Sequence, residues 1–159
     1  MKLRHLAAQG NAAAQFVLGL MYEDGKGDVL QNNNEAMRWY RLAADQGFAL
    51  GQCWLGLMYD AGKGVPQDYA EAAKWYRLAA DQGFGMAQYD IGYMYALGRG
   101  VPRNYVVAHM WLNLSAARTT DNAAAAELRD NVAKFMNPAQ IAEAQRLARE
   151  WKPTKQPPR

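Results

Sequence analysis

Apolar positions recur along most of the chain with the spacing of one face of a helix. Leu18 and Tyr22 lie four apart, with Gly19 beside the first of them. The five residues Leu18-Gly19-Leu20-Met21-Tyr22 return as Leu55-Gly56-Leu57-Met58-Tyr59 and again as Ile91-Gly92-Tyr93-Met94-Tyr95. A Gly-basic-Gly turn follows each: Gly25-Lys26-Gly27, Gly62-Lys63-Gly64 and Gly98-Arg99-Gly100. Trp39, Trp75 and Trp111 keep a strict period of 36 residues. Self-similarity at this period predicts an array of supersecondary units, each burying its apolar face only by stacking on the next.

Each unit predicts two helices. The first runs over Ala12–Asp24, Ala49–Ala61 and Gly85–Leu97. Its interior glycine, at Gly19, Gly56 and Gly92, costs about 1 kcal/mol against alanine, so close approach of a neighbouring helix is expected there. The second helix opens on a cap. Asp68 with Glu71 and Asn32 with Glu35 form capping-box patterns, whereas Asn104 has Val107 in place of the reciprocal partner. Its stripe Ala72, Trp75, Tyr76, Ala79, Ala80 predicts the buried face, and Gly47 and Gly83 predict left-handed helix ends. Pro66 and Pro102 precede the caps. The first loop, Gly27-Asp28-Val29-Leu30-Gln31, carries one residue more than its counterpart and no proline, so a looser connection is expected.

The ends break the period. Leu3–Gly10 matches Tyr40–Gly47, so residues 1–10 read as the second half of a preceding unit's second helix. The units are expected at 11–47, 48–83 and 84–119. An extension upstream of Met1 is therefore expected, and the compartment stays open. It is periplasmic or secreted if a signal was removed with that segment, and cytoplasmic otherwise. Asp121 is expected to cap a helix with Ala125, Leu128, Val132, Phe135 and Met136 on one stripe. Asn137-Pro138 opens a last helix, Ala139–Trp151. These two helices, within 120–151, predict a capping module, and 152–159 a disordered tail.

Composition narrows the function. Of 159 residues, 50% are apolar and 21% charged, enough for a core. The 18 basic and 15 acidic side chains leave a net charge of only +3, without the concentrated basic excess of a nucleic-acid reader. One cysteine excludes an intrachain disulfide or a cysteine-based zinc cluster, and Cys53 reads as a small buried hydrophobe. The two histidines, His5 and His109, form no metal-binding pair, and His109 stands in the slot of Met37 and Ala73. No apolar run is long enough to span a membrane. No P-loop, GxSxG or HExxH is present; the Gly-basic-Gly turns lack the spacing and the Lys-Ser/Thr of a phosphate loop. The expectation is a protein that is not an enzyme, with no cofactor, no nucleic acid and no membrane insertion.

Helix–turn–helix units with Leu-Gly-x-x-Tyr suggest the tetratricopeptide class, whose period is shorter. Together with Ala87-Gln88, Trp75-Tyr76-Arg77-Leu78-Ala79-Ala80 and Gln82-Gly83, the chain resembles the Sel1-like repeat family over about Met1 to Ala117. Met136–Ala142 also resembles the closing segment of bacterial members. Gln52-Cys53-Trp54, and Leu112, Asn113 and Ser115, depart from the pattern. The resemblance implies an all-α fold: a right-handed superhelical α/α solenoid of antiparallel helix pairs with a C-terminal helical cap. It implies a monomeric scaffold that binds a protein or peptide in a concave groove lined by first helices. An immunity-type protein that occludes a toxin or effector is the alternative. The disulfide-clamped repeats of relatives linked to β-lactam binding are missing here.

In the layout of that class, groove positions lie two before the leucine, two after it, and five or six after it. They fall on Phe16, Leu20, Glu23 and Asp24, on Cys53, Leu57, Asp60 and Ala61, and on Tyr89, Tyr93, Ala96 and Leu97, with Leu50 and Met86 extending the row and Trp54 beside it. The groove is expected to be acidic in the first two units, and apolar and aromatic in the third. Packing is the competing role for Phe16, Trp54 and Tyr89, and a solvated helix end the competing role for Glu23 and Asp60.

Overall fold

The computed structural model describes residues 2–118 and 123–154. Among these there are nine α-helices and no strand: α1 (Lys2–Ala8), α2 (Ala12–Asp24), α3 (Asn33–Asp45), α4 (Ala49–Ala61), α5 (Tyr69–Asp81), α6 (Gly85–Leu97), α7 (Tyr105–Arg118), α8 (Ala123–Ala133) and α9 (Pro138–Glu150). They cluster into two compact units, divided within α5 after Trp75.

Side-chain caps start most of these helices. Asn11 accepts from the Ala14 amide, Asn32 from those of Asn34 and Glu35, Asp68 from Glu71 and Asn104 from Val107. Each such cap stabilises its helix by about 1 kcal/mol. The reciprocal half of the expected boxes is replaced. Glu35 pairs with Arg38, and Glu71 with Lys74, each one turn further on. The complete box stands at α9, where Asn137 and Gln140 bond each other's amides ahead of Pro138. Helices α2, α4 and α6 end on Gly25, Gly62 and Gly98 with φ of 64°, 66° and 68°, a left-handed turn that glycine adopts without strain.

In the first unit α1 packs on α2, α2 on α3 and α3 on α4. Its core gathers Phe16, Ala36, Tyr40, Ala43, Ala44, Leu55 and Met58. Small residues bring the helices together: a Cβ at Gly51 would lie 2.8 Å from that of Ala43. The longer first loop keeps the bond made by the others. The Asn32 amide donates to the Tyr22 carbonyl at 2.8 Å, as Asp68 does to Tyr59 at 2.9 Å. The extra length places Val29 inside and Leu30 in solvent.

In the second unit α7 packs against α6, α8 and α9, around Ala108, Leu112 and Val132. Trp151 meets Trp111 edge to face at 6.0 Å, and the Arg118 guanidinium lies 4.9 Å over its ring. Two expectations need correction. Helix α8 ends at Ala133, so Phe135 leaves the stripe, is largely exposed and stacks on Tyr105, whereas Met136, beyond the helix, still packs on the core with Leu128 and Val132. Lys152–Thr154 do not belong to a disordered tail: the Thr154 amide donates to the Asp81 carbonyl at 2.8 Å. Asp121 and residues 155–159 lie outside the described residues.

Three buried glutamines stand at the same place in successive repeats, a device the sequence pattern did not reveal. The amide nitrogens of Gln15, Gln52 and Gln88 donate to the carbonyls of Ala7, Ala44 and Ala80, each eight residues back. Each bond ties a first helix to the end of the preceding second helix across the connecting turn.

Candidate protein-binding faces

The first unit seals much of what was expected to face a partner. Phe16 is buried, with its ring 5.6 Å from Tyr40, 5.8 Å from Phe48 and 5.3 Å from Trp54. It is therefore a core residue and not a groove residue: the aromatic cluster that α2, α3 and α4 build between them needs its volume. Leu20 and Leu50 are half-buried against the same cluster. Trp54 and Leu57, also half-buried, open with Glu23, Ala61 and Lys63 onto a cleft of about 170 Å³.

The acidic character expected of this cleft is largely neutralised. Glu23 accepts a 2.6 Å hydrogen bond from the Tyr40 hydroxyl and lies 3.5 Å from the Lys63 ammonium. Burial pushes the Tyr40 phenol well above its ordinary range, and the Glu23 hydrogen bond and charge add to that. Asp60 is half-buried at the end of α4, with its carbonyl accepting from the Gln67 side chain at 2.7 Å.

The second unit is different. Met86, Tyr93 and Leu97 are exposed by 43%, 37% and 50%. Their spacing along α6 puts them on one face, with half-buried Tyr89 between them. Tyr89 and Tyr93 stack with centroids 6.4 Å apart, and the Arg99 guanidinium lies 5.8 Å over the Tyr93 ring. The corresponding leucines of the first unit are half-buried, so the two units present different surfaces to solvent.

The basic side chains of the second helices are engaged within the protein. Arg41 lies 5.3 Å over Trp75 and Arg77 lies 5.2 Å over Trp111, an arginine–tryptophan contact repeated with the 36-residue period. The Gly-basic-Gly amides are engaged too. Lys26, Lys63 and Arg99 donate to the carbonyls of Met21, Met58 and Met94, which leaves those amides no role in cradling an anion. Cys53 is fully buried, and His109 is buried with an unpartnered Nδ1. Among the described residues no group of three or more His, Cys, Asp or Glu could hold a metal ion, and no helix is long and apolar enough to cross a membrane.

The Sel1 repeat pattern matches three times in succession, over residues 12–48, 49–84 and 85–119. The chain belongs to the Sel1 repeat family. Each matched repeat begins one residue later than the division expected from the sequence. Among solved structures, a Sel1 repeat protein from Oxalobacter formigenes is similar, with 40% identity, a TM-score of 0.75, and coverage of 82% of this chain and 96% of its own. A protective antigen present in uropathogenic Escherichia coli strains, displaying an SLR fold, is 28% identical with a TM-score of 0.72. That match covers 94% of this chain and 39% of the antigen. No curated protein matches the chain. The Sel1-repeat chain is thus an all-α repeat solenoid, of a family that generally provides non-enzymatic scaffolds for protein–protein interaction.

Proposed function

We propose that this Sel1-repeat protein is a monomeric, non-enzymatic scaffold that holds a protein or peptide on the exposed faces of its first helices. The observation that carries the reading is the row on α6. Met86, Tyr93 and Leu97 are large apolar side chains exposed one after another on a single helix face. Contiguous apolar exposure is unfavourable unless a partner covers it, and aromatic side chains are favoured anchors in interfaces. The stacked pair Tyr89–Tyr93 is held from one side by its own helix and from above by Arg99, so little side-chain freedom is lost on binding. In the first unit the cleft beside Trp54 and Leu57 supplies a smaller subsite of the same kind.

The test is site-directed crosslinking from Met86 in the source cell, followed by binding measurements on the captured partner. Replacing Tyr93 and Met86 by alanine should weaken that partner about tenfold or more while the helical melt stays in place. Full retention of affinity by the double variant would end the reading.

A further inference from the structure

A second surface of the second unit carries its own chemistry. Below the end of α6, a cleft of about 280 Å³ is lined by Ala96, Leu97, Leu128, Val132, Phe135 and Arg103. Its floor is apolar and continuous with the α7–α8 core. Its wall is Phe135, 70% exposed and stacked on Tyr105 at 5.4 Å with the rings only 18° from parallel. A large aromatic ring left in water yet fixed by stacking is a preorganised contact.

Among the described residues the one charged side chain that lines the cleft is Arg103, which stands at its edge 5.4 Å over the Tyr105 ring. Lys134, one residue before Phe135, donates to the side chain of Asn131, which lines the cleft. Among the described residues neither cation is paired with an acid. An exposed arginine that stacks on an aromatic ring keeps its guanidinium donors free for a bidentate carboxylate.

We propose that this cleft seats one large apolar side chain of an acidic polypeptide segment, with a neighbouring carboxylate of that segment on Arg103. The volume suits a single anchor side chain, below the size of a typical cofactor site. The apolar floor selects the anchor, and the unpaired cations select acids beside it. The cleft shares Leu97 with the α6 row, but the two residues that give it its own chemistry, Phe135 and Arg103, lie outside that helix.

The experiment is fluorescence anisotropy on the whole chain with a labelled peptide probe, one phenylalanine flanked by aspartates in a glycine–serine background. Binding should be saturable. It should weaken about tenfold or more when lysines replace the aspartates or alanine replaces the phenylalanine, and equally for Arg103→Glu or Phe135→Ser. Arg103→Lys should fall between the parent and Arg103→Glu, because the ammonium keeps the charge and loses the bidentate fork. Tyr93→Ala should leave it unchanged, which separates this cleft from the α6 row. Both target side chains are exposed, and an unchanged circular dichroism melt shows that the variants are folded. Equal binding of the aspartate and lysine peptides, wild-type affinity in Arg103→Glu, or no binding at millimolar peptide would overturn the proposal. So would phosphatidylglycerol vesicles that bind in an Arg103-dependent way where the peptide does not, because a lipid surface would then be the ligand.

Discussion

Gly19 faces the ring of Tyr40 so closely that a Cβ at position 19 would stand 2.5 Å from Cε1 and 2.6 Å from Cδ1. Tyr40 is fully buried in the α2–α3–α4 cluster and cannot swing aside. Gly19→Ala therefore sets a helix-propensity gain of about 1 kcal/mol against overpacking of about 1–3 kcal/mol. Overpacking wins because the obstacle is a rigid ring. Gly92→Ala meets the Leu112 side chain at 2.9 Å, a milder approach than that to Tyr40 but one to a fully buried residue. Thermal melts should show both variants less stable than the parent, with Gly19→Ala losing more than Gly92→Ala. A gain in stability in both would mean that helix propensity decides at both sites.

The bond between Tyr40 and Glu23 makes the first unit sensitive to alkali. Burial, then the Glu23 hydrogen bond and charge, hold the Tyr40 phenol protonated far above its ordinary pKa of about 10. The unfolded chain loses that proton first as the pH rises. Stability from this group is thus complete below about pH 10 and declines above it, by up to about 1.4 kcal/mol per pH unit. Tyr40→Phe should cost about 1 kcal/mol at neutral pH through the lost bond, and should flatten the decline above pH 10. Denaturant melts at neutral pH and at about pH 11 check both parts.

The helices were legible in the sequence, and the reason is repetition. The first-helix spans follow from a face of leucine or isoleucine, glycine and tyrosine, bounded by an asparagine or phenylalanine before it and a glycine after it, stated three times. Side-chain exposure was less legible. Phe16 and Tyr89 occupy equivalent positions, yet Phe16 is locked among three aromatic rings while Tyr89 stacks on Tyr93 at the edge of solvent. That difference depends on Trp54 and Phe48, supplied by a neighbouring helix and its cap, which periodicity within α2 does not report. Phe135 was misplaced for the converse reason. A stripe at helical spacing shows where a side chain would point if the helix continued, and α8 stops two residues earlier.

The buried glutamines should differ in worth. Gln15 uses both ends of its amide: the nitrogen donates to Ala7, and the oxygen accepts from Gln46 at 2.7 Å. Gln88 makes the equivalent bond to Ala80, but its buried oxygen has no partner among the described residues. The position that holds Gln46 in the first repeat holds Arg118 in the third. An unsatisfied buried acceptor already carries a penalty of about 1–3 kcal/mol, and removing it recovers part of the lost donor bond. Gln88→Met should therefore be near neutral and Gln15→Met destabilising by about 1 kcal/mol or more. Chemical denaturation of the two variants side by side decides it; equal losses would show that the oxygen's partner contributes nothing.

His109 ties the second unit to mildly acidic pH. Burial between α7 and α8 disfavours its charged form, the Arg129 guanidinium adds repulsion, and Asp130 opposes them only in part, so its pKa falls below the ordinary value. The unfolded chain takes up the proton near pH 6.5 while the folded chain resists it. Stability is thus complete above about pH 6.5 and is lost as the pH falls toward the lowered folded value. The same slot holds Met37 in the first repeat and Ala73 in the second, so methionine is a side chain that the repeat accepts there. His109→Met also removes a buried ring nitrogen without a partner. The variant should melt at or above the parent's temperature at pH 7 and lose less of it at pH 5. A parent whose melting temperature is flat across that interval, or a variant that falls just as steeply, would place the acid sensitivity elsewhere in the chain.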